Sequence, residues 1–458
     1  MDRDLSPPPI PISNARPHQS KRTIHLLLWL MIPFLLFLGL YQIWEAWNEV
    51  TFHGMDLQQD FIAAQRLRAG QNIYTPFSRA EVAALGVQEH LGVGMRFNNH
   101  PPINALLMMP LTLLPFRTMA LCWTIGCVVV LLIAVRTIIN ELNLPIVGLW
   151  QAVMLLFLPN WYPVWLHLHL GQFTILLFGL VVGTWYCLRR GHDRWAGCLL
   201  AVATVVKIYP GFLLIYALLR GRWRVLQAAA LTALVLVLLQ SFIYPHQWLD
   251  YFTRTAPNDA SEWVGHERNA SLGNLSTRLF TGSEDVKPLF DLPGLELPFR
   301  ALLYVLFLVL SGVAIWRYRH TTDLTGEFSL LLSIMLLITP LSWEHAFIFI
   351  LLPLGYLWQQ FRRHRRLWNP KPIYFALLSI GFSLFPSVVV MNKIMVHYLP
   401  DRMPSLVGLL SPGVFVFICC YVAVLLTLEQ QRRTSSHQSG ELHTTETGAA
   451  HATADTSM

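Results

Sequence analysis

Apolar stretches long enough to cross a bilayer as helices recur along this chain, and that feature alone rules out most folds. A spanning helix needs roughly 17 to 25 largely apolar residues. Stretches at or near that length cover 23–44, 119–139, 146–161, 172–188, 195–219, 225–244, 299–316, 327–343, 347–360, 372–391 and 405–428. The short alternating segments that build a membrane β-barrel are absent. With 54% hydrophobic and only 13% charged residues, the chain cannot cover one core with a conventional polar surface. The expected class is an all-α polytopic membrane protein.

Charge placement orients the spans. The net charge of +7 would suit nucleic acid, but the basic residues sit in short clusters between apolar runs, which marks cytoplasmic loops instead. Arg16, Lys21 and Arg22 precede the first run, and no small-residue cleavage site follows it, so 23–44 is read as a retained span with 1–22 in the cytoplasm. Arg189, Arg190 and Arg194 then mark one cytoplasmic loop and Arg220, Arg222 and Arg224 another. The run 195–219 thus begins and ends on the same side, as a re-entrant hairpin or two short helices meeting in the membrane. Its middle is Lys207-Ile-Tyr-Pro-Gly, where Pro and Gly break a helix and a lysine lies at depth. The total is about 10 spans plus the hairpin, or about 12 spans. Loops 45–117 and 245–298 fall outside the cell (plasma) membrane, and both termini fall inside. In the first loop, 101–115 is apolar but bracketed by prolines, which suits a helix on the outer leaflet. The tail 429–458, rich in Ser, Thr, His and Gly, has no apolar period and is expected to be disordered. Cys122, Cys127, Cys187, Cys198, Cys419 and Cys420 mostly lie in apolar runs without ligand spacing, so neither a disulfide framework nor a metal site is expected.

This topology gathers polar groups on one face. Asp56 and Asp60 lie four residues apart just past the first span, on one face of any helix that starts there. Asp56 could equally serve as the N-cap of a short helix ended by Gly70. His100, His167, His169, Gln172 and His345 join them, with the Arg268 to Arg278 region of the second loop. A carboxylate, imidazoles and guanidinium groups at a membrane surface suit general-base work on an anionic lipid substrate. Taken singly, each histidine fits an interfacial hydrogen-bonding role, and Trp161, Trp165 and Trp263 fit an interface belt. No glycine loop for a nucleotide is present; Gly92-Val-Gly94 lacks the flanking strand and helix.

The order of short motifs resembles glycosyltransferase family 87. Asp56, Ala63-Ala64, Gly70 and Tyr74 resemble that family's first-loop signature. Pro101-Pro102 with Pro110 and Pro115, Gly171-Gln172, Lys207 to Pro210 with Arg222-Trp223, Asn269 to Leu272 and Pro340 to His345 follow in family order. The resemblance implies a GT-C-type fold and an enzyme that takes a sugar, usually mannose, from a polyprenyl-phosphate donor to a lipid or glycan acceptor on the extracytoplasmic side. It implies Asp56 as catalytic base, with Ser342, Trp343 and His345 approaching the active site and Lys207 near the donor's phosphate or lipid. Tyr209, Gln172, His100, Asn269, Ser271, Arg268 and Arg278 complete the expected substrate-binding set. Three positions depart from the pattern: Asp60 stands where an aromatic is common, His100 where a tyrosine precedes the Pro-Pro pair, and Thr174 where an asparagine follows Gly-Gln. Asp60 therefore competes with Asp56 for the base role. No cofactor is required, although the Asp56/Asp60 pair leaves a divalent cation possible. The competing class is a transporter or flippase of a lipid-linked saccharide, but only one broken segment, around Lys207, speaks for it.

Overall fold

The computed structural model describes residues 17–52, 56–86, 97–146, 148–266, 268–282, 287–318, 323–364, 369–384 and 413–433. Helices α1 (Pro17–Phe52), α2 (Asp56–Arg68) and α3 (Arg79–Ala84) come first. α4 (Pro102–Met108) then tightens into a 3-10 turn. α5 (Phe116–Glu141), α6 (Leu149–Phe157), α7 (Tyr162–Leu170), α8 (Thr174–Arg189) and α9 (Asp193–Val206) follow. A second 3-10 turn, Tyr209–Leu213, leads into α10 (Leu214–Leu219) and α11 (Trp223–Ile243). The second loop folds as α12 (Gln247–Asp250), a π-helical turn, α13 (Ala256–Trp263) and α14 (Leu272–Phe280). α15 (Pro293–Arg317), α16 (Leu324–Ile338), a 3-10 turn over Glu344–Ile350, α17 (Leu351–Arg363) and α18 (Lys371–Leu384) precede the last described helix, α19 (Gly413–Arg433). The β pairing among the described residues is a single antiparallel bridge, Asn269 to Trp343.

The protein is an all-helical multi-pass membrane protein, but fewer helices run unbroken than composition suggests. Leu26–Val50, Phe116–Glu141, Trp223–Ile243, Pro293–Arg317 and Gly413–Arg433 are each long and apolar enough to cross a membrane. α7 and α8 together make a sixth only across a bend of 120°. Three of the other expected spans are interrupted by identifiable residues. The helix of 146–161 becomes a 3-10 turn at Leu158-Pro159, the hairpin breaks at Lys207, and α16 stops before Thr339-Pro340. Such breaks survive at membrane depth only where neighbouring protein satisfies the freed backbone groups.

Several boundaries move. α1 runs on to Phe52, so 45–52 is helix and not loop. α15 starts at Pro293, inside the expected loop 245–298, and α19 continues to Arg433, beyond the expected start of the tail. Residues 1–16 and 434–458, which hold most of the expected terminal segments, lie outside the described residues, as do 385–412 between the last two expected spans.

The core is apolar and aromatic, with Trp185, Tyr356, Tyr421, Phe178, Phe328 and Phe349 fully buried. α16 is buried all round from Thr325 to Leu337, which makes it the central helix. α9 packs tightly on α11, where a Cβ on Gly197 would meet the Val225 carbonyl at 2.3 Å. At α1's full length, about 1.5 Å per residue makes the helix roughly 54 Å long, well beyond a hydrocarbon core of about 30 Å.

Candidate active site

α2 is polar in composition, yet Gln58, Gln59, Asp60 and Arg66 are all buried in it. Burying that many polar groups is costly unless each has a partner. Arg66 forks onto Glu81 at 2.6 and 2.7 Å and donates to the Pro76 carbonyl at 2.9 Å, which ties the helix end to α3. Glu81 is held down to about 2, first by that hydrogen bond. Phe61 meets the Phe116 ring edge-on at 5.3 Å. The tightest contact is at Gly171, in the α7/α8 bend. Its φ is +69°, and an added Cβ would lie 2.6 Å from the Leu57 Cβ, so only glycine fits both the backbone and the space. This close approach sets Gln172 against the first turn of α2.

The two carboxylates of α2 receive different partners. Asp60 is fully buried, and His100 Nδ1 lies 2.9 and 3.1 Å from its two oxygens. His100 is itself fixed, its N–H donating to Asn98 Oδ1 at 3.1 Å and its carbonyl accepting from the Tyr74 hydroxyl at 2.9 Å. Asp56 is half-buried, and its Oδ2 accepts a hydrogen bond from Gln172 Nε2. Gln172 Oε1 in turn accepts from Lys207 Nζ at 3.3 Å. The lysine fixes which way the amide points, and the amide separates the ammonium from Asp56. Burial pushes the Asp56 carboxyl up, opposed by the charge of His100 and the bond from Gln172. The structure thus gives one carboxylate a fixed structural partner and leaves the other raised and only partly engaged. A raised, reachable carboxylate is what general-base work near neutral pH requires.

The remaining expected residues divide into groups. His345 Nδ1 bonds Thr174 Oγ1 at 2.8 Å, so the departure at Thr174 supplies a partner for the histidine. His167 is fully buried 6.5 Å from the His345 ring centre, and both of its ring nitrogens lack partners among the described residues. Asn269 is saturated internally. Its Nδ2 donates to the Pro340 carbonyl at 2.9 Å, and its Oδ1 accepts from Ser342 N at 3.0 Å and Ser271 N at 3.1 Å. Ser271 caps α14 and also donates to the Pro340 carbonyl at 3.1 Å. Asn269 and Ser271 therefore clamp the segment that carries Ser342, Trp343 and His345, and their polar atoms are occupied by the protein itself. Arg268 Nε and Ser342 Oγ are buried without hydrogen-bond partners among the described residues. Arg278 is buried, and its Nη2 donates to the His266 carbonyl at 3.2 Å. Tyr209 packs its ring against Phe349 at 6.3 Å, within the apolar core and away from the carboxylates.

One residue absent from the expected set lies close to these groups. Asp259 accepts from Asn99 Nδ2 at 3.0 Å, across 160 residues of sequence, and faces His100 and Lys207. Burial pushes its carboxyl up to about 6. Nothing local in the sequence distinguishes it from the other acidic residues of its loop. Among the described residues, no group of three or more His, Cys, Asp or Glu side chains is arranged to hold a metal ion.

Comparison with known proteins gives three findings. The model of Glycosyltransferase family 87 matches residues 98–340. The polyprenol-phosphate-mannose-dependent alpha-(1-2)-phosphatidylinositol mannoside mannosyltransferase of Mycolicibacterium smegmatis is 24% identical over 381 residues, covering 76% of this chain and 78% of that protein. The crystal structure of ArnT from Cupriavidus metallidurans bound to undecaprenyl phosphate aligns with 89% of this chain and 78% of that one, at 12% identity and a TM-score of 0.38.

Proposed function

This chain belongs to glycosyltransferase family 87, and from that premise we propose that it moves mannose from a polyprenyl-phosphate donor to a hydroxyl of a lipid or glycan acceptor, on the extracytoplasmic side of the membrane. Its membership makes it a glycosyltransferase. The choice of donor follows the printed name of the mycobacterial relative. The choice of side follows the positive charge of the loops at the opposite ends of the spans. The observation that carries the mechanism is the chain Lys207 to Gln172 to Asp56 beside an Asp60 already paired with His100.

In this reading Asp56 takes the proton from the acceptor hydroxyl through its oxygen not bonded to Gln172. The acceptor oxygen attacks the anomeric carbon in line, the bond from that carbon to the phosphate oxygen breaks, and polyprenyl phosphate leaves with the electron pair. The configuration at that carbon inverts. Lys207, Arg268 and His345 hold the phosphate as charge develops on it. Asp60 acts through His100, keeping the floor of the site rigid and its charge balanced. No nucleotide sugar enters, and each step runs on side chains of the chain. A divalent cation, if recruited, has Asp56 as its carboxylate, because His100 covers both oxygens of Asp60.

The test is transfer of radiolabel from polyprenyl-phosphate mannose into extracted lipids and glycans by membranes containing the full chain. Labelled product that disappears when the chain is omitted is the expected result. Export of an intact lipid-linked saccharide without bond exchange would refute the reading in favour of transport.

A further inference from the structure

α13 has no buried residue, unlike the helices around it, yet two of its side chains meet other segments, Asp259 at Asn99 and Trp263 at Trp343. Asp259 and Trp263 are four residues apart and so share one face of the helix. Asp259 is pinned by Asn99 through one oxygen; its other oxygen has no hydrogen bond among the described residues. Trp263 meets the Trp343 ring at 6.0 Å and the His266 ring at 5.2 Å, and His266 meets Trp343 at 5.1 Å. All three rings are only partly buried, so the cluster is not a closed piece of core. Ser342 Oγ and Arg268 Nε, close in sequence to members of this cluster, are buried donors without hydrogen-bond partners among the described residues. A buried donor left unpaired is destabilising unless something else satisfies it. Open aromatic faces, a half-engaged carboxylate and unpaired donors together match a pyranose ring, which offers an apolar C–H face and a rim of hydroxyls.

Two sugars enter such a reaction, and charge chooses between them. The donor sugar is tethered to a phosphate, which Lys207 attracts and a further carboxylate repels. Asp259 therefore suits the uncharged partner. Resting on the reading of the site as a polyprenyl-phosphate-dependent transferase, we propose that α13 is the acceptor-sugar subsite, with Trp263 and Trp343 stacking on the ring and Asp259 accepting from its hydroxyls to aim one of them at Asp56. In this scheme Trp263, expected from sequence in an interface belt, forms part of the site wall. Asp259 is a positioning residue in this scheme; no bond forms or breaks at it.

The test uses the purified full chain, polyprenyl-phosphate mannose as donor and octyl α-D-mannopyranoside as a soluble acceptor. Asp259→Asn keeps an oxygen for Asn99, and Trp263→Phe keeps an aromatic face as the conservative counterpart of Trp263→Ala; thermal unfolding in detergent, read in parallel, shows that each variant is folded. The expected result is an acceptor KM raised at least tenfold by Asp259→Asn and Trp263→Ala, with donor KM within about threefold of wild type and Trp263→Phe retaining most function. An unchanged acceptor KM in active variants overturns the inference, and so does an equal rise in donor KM. Wild type that releases free mannose from the donor without using the octyl mannoside overturns the inference and leaves the donor reading standing. Wild type that never turns over the donor overturns both.

Discussion

Replacing each carboxylate of α2 by its amide separates chemistry from support. In Asp56→Asn the shape is kept and Gln172 Nε2 still finds an oxygen, so stability changes little. The base is lost, however, and a positioned general base contributes about 10²–10⁴-fold, or roughly 3–5 kcal/mol of barrier. Asp60→Asn leaves the base in place but alters a fully buried carboxylate that His100 Nδ1 approaches at 2.9 and 3.1 Å. The amide keeps one acceptor and introduces a buried NH₂ where the second oxygen was, at a cost of about 1–3 kcal/mol. The assay measures transfer of labelled mannose per mole of folded protein, with thermal unfolding in detergent read in parallel. Asp56→Asn is expected to lose at least a hundredfold in kcat/KM at an unchanged melting temperature. Asp60→Asn is expected to melt earlier and to keep most of its specific activity. An Asp56→Asn protein within tenfold of wild type, beside an inactive but stable Asp60→Asn protein, would refute the assignment of Asp56 as base.

The pH profile of kcat/KM should show an acid limb above the ordinary carboxylate range. Asp56 is raised by burial, and as the proposed base it would work only when deprotonated, so activity should be lost as pH falls through that raised value. Because the charge of His100 opposes the rise, His100→Gln should move the limb further up; a limb that stays put contradicts the electrostatic account. Gly171→Ala combines a left-handed backbone with a 2.6 Å approach to Leu57 and should cost about 2–4 kcal/mol, with activity falling as Gln172 is displaced. Adding Leu57→Ala should restore only the steric part, measurable as a partial recovery of melting temperature. Glu327, fully buried on α16, is paired with Arg220; Glu327→Ala should destabilise by about 3–5 kcal/mol in thermal unfolding while the folded fraction keeps its specific activity.

The sequence by itself determined the membrane class, the order of the polar segments and the break at Lys207. These follow from local causes: an apolar run must leave water, and Pro and Gly interrupt a helix wherever they fall. The motif order likewise carried Asp56, Gln172, Lys207 and His345 into one family pattern without any coordinate. Span number was less legible, because composition alone cannot distinguish one straight crossing from short helices joined by 3-10 turns. Only the tertiary structure shows that Asp56 and Asp60 have different partners, since both are acidic and share a helix face. The difference depends on His100, 40 residues on, closing over Asp60, and on Gln172, 116 residues on, reaching Asp56 past Leu57. The same holds for Asn269, whose side chain is consumed by Pro340 and Ser342, and for Asp259, whose carboxylate is held by Asn99. Charge, burial and hydrogen-bond partners at this site are properties of side chains brought together by packing, and no local stretch of sequence encodes which neighbour each will meet.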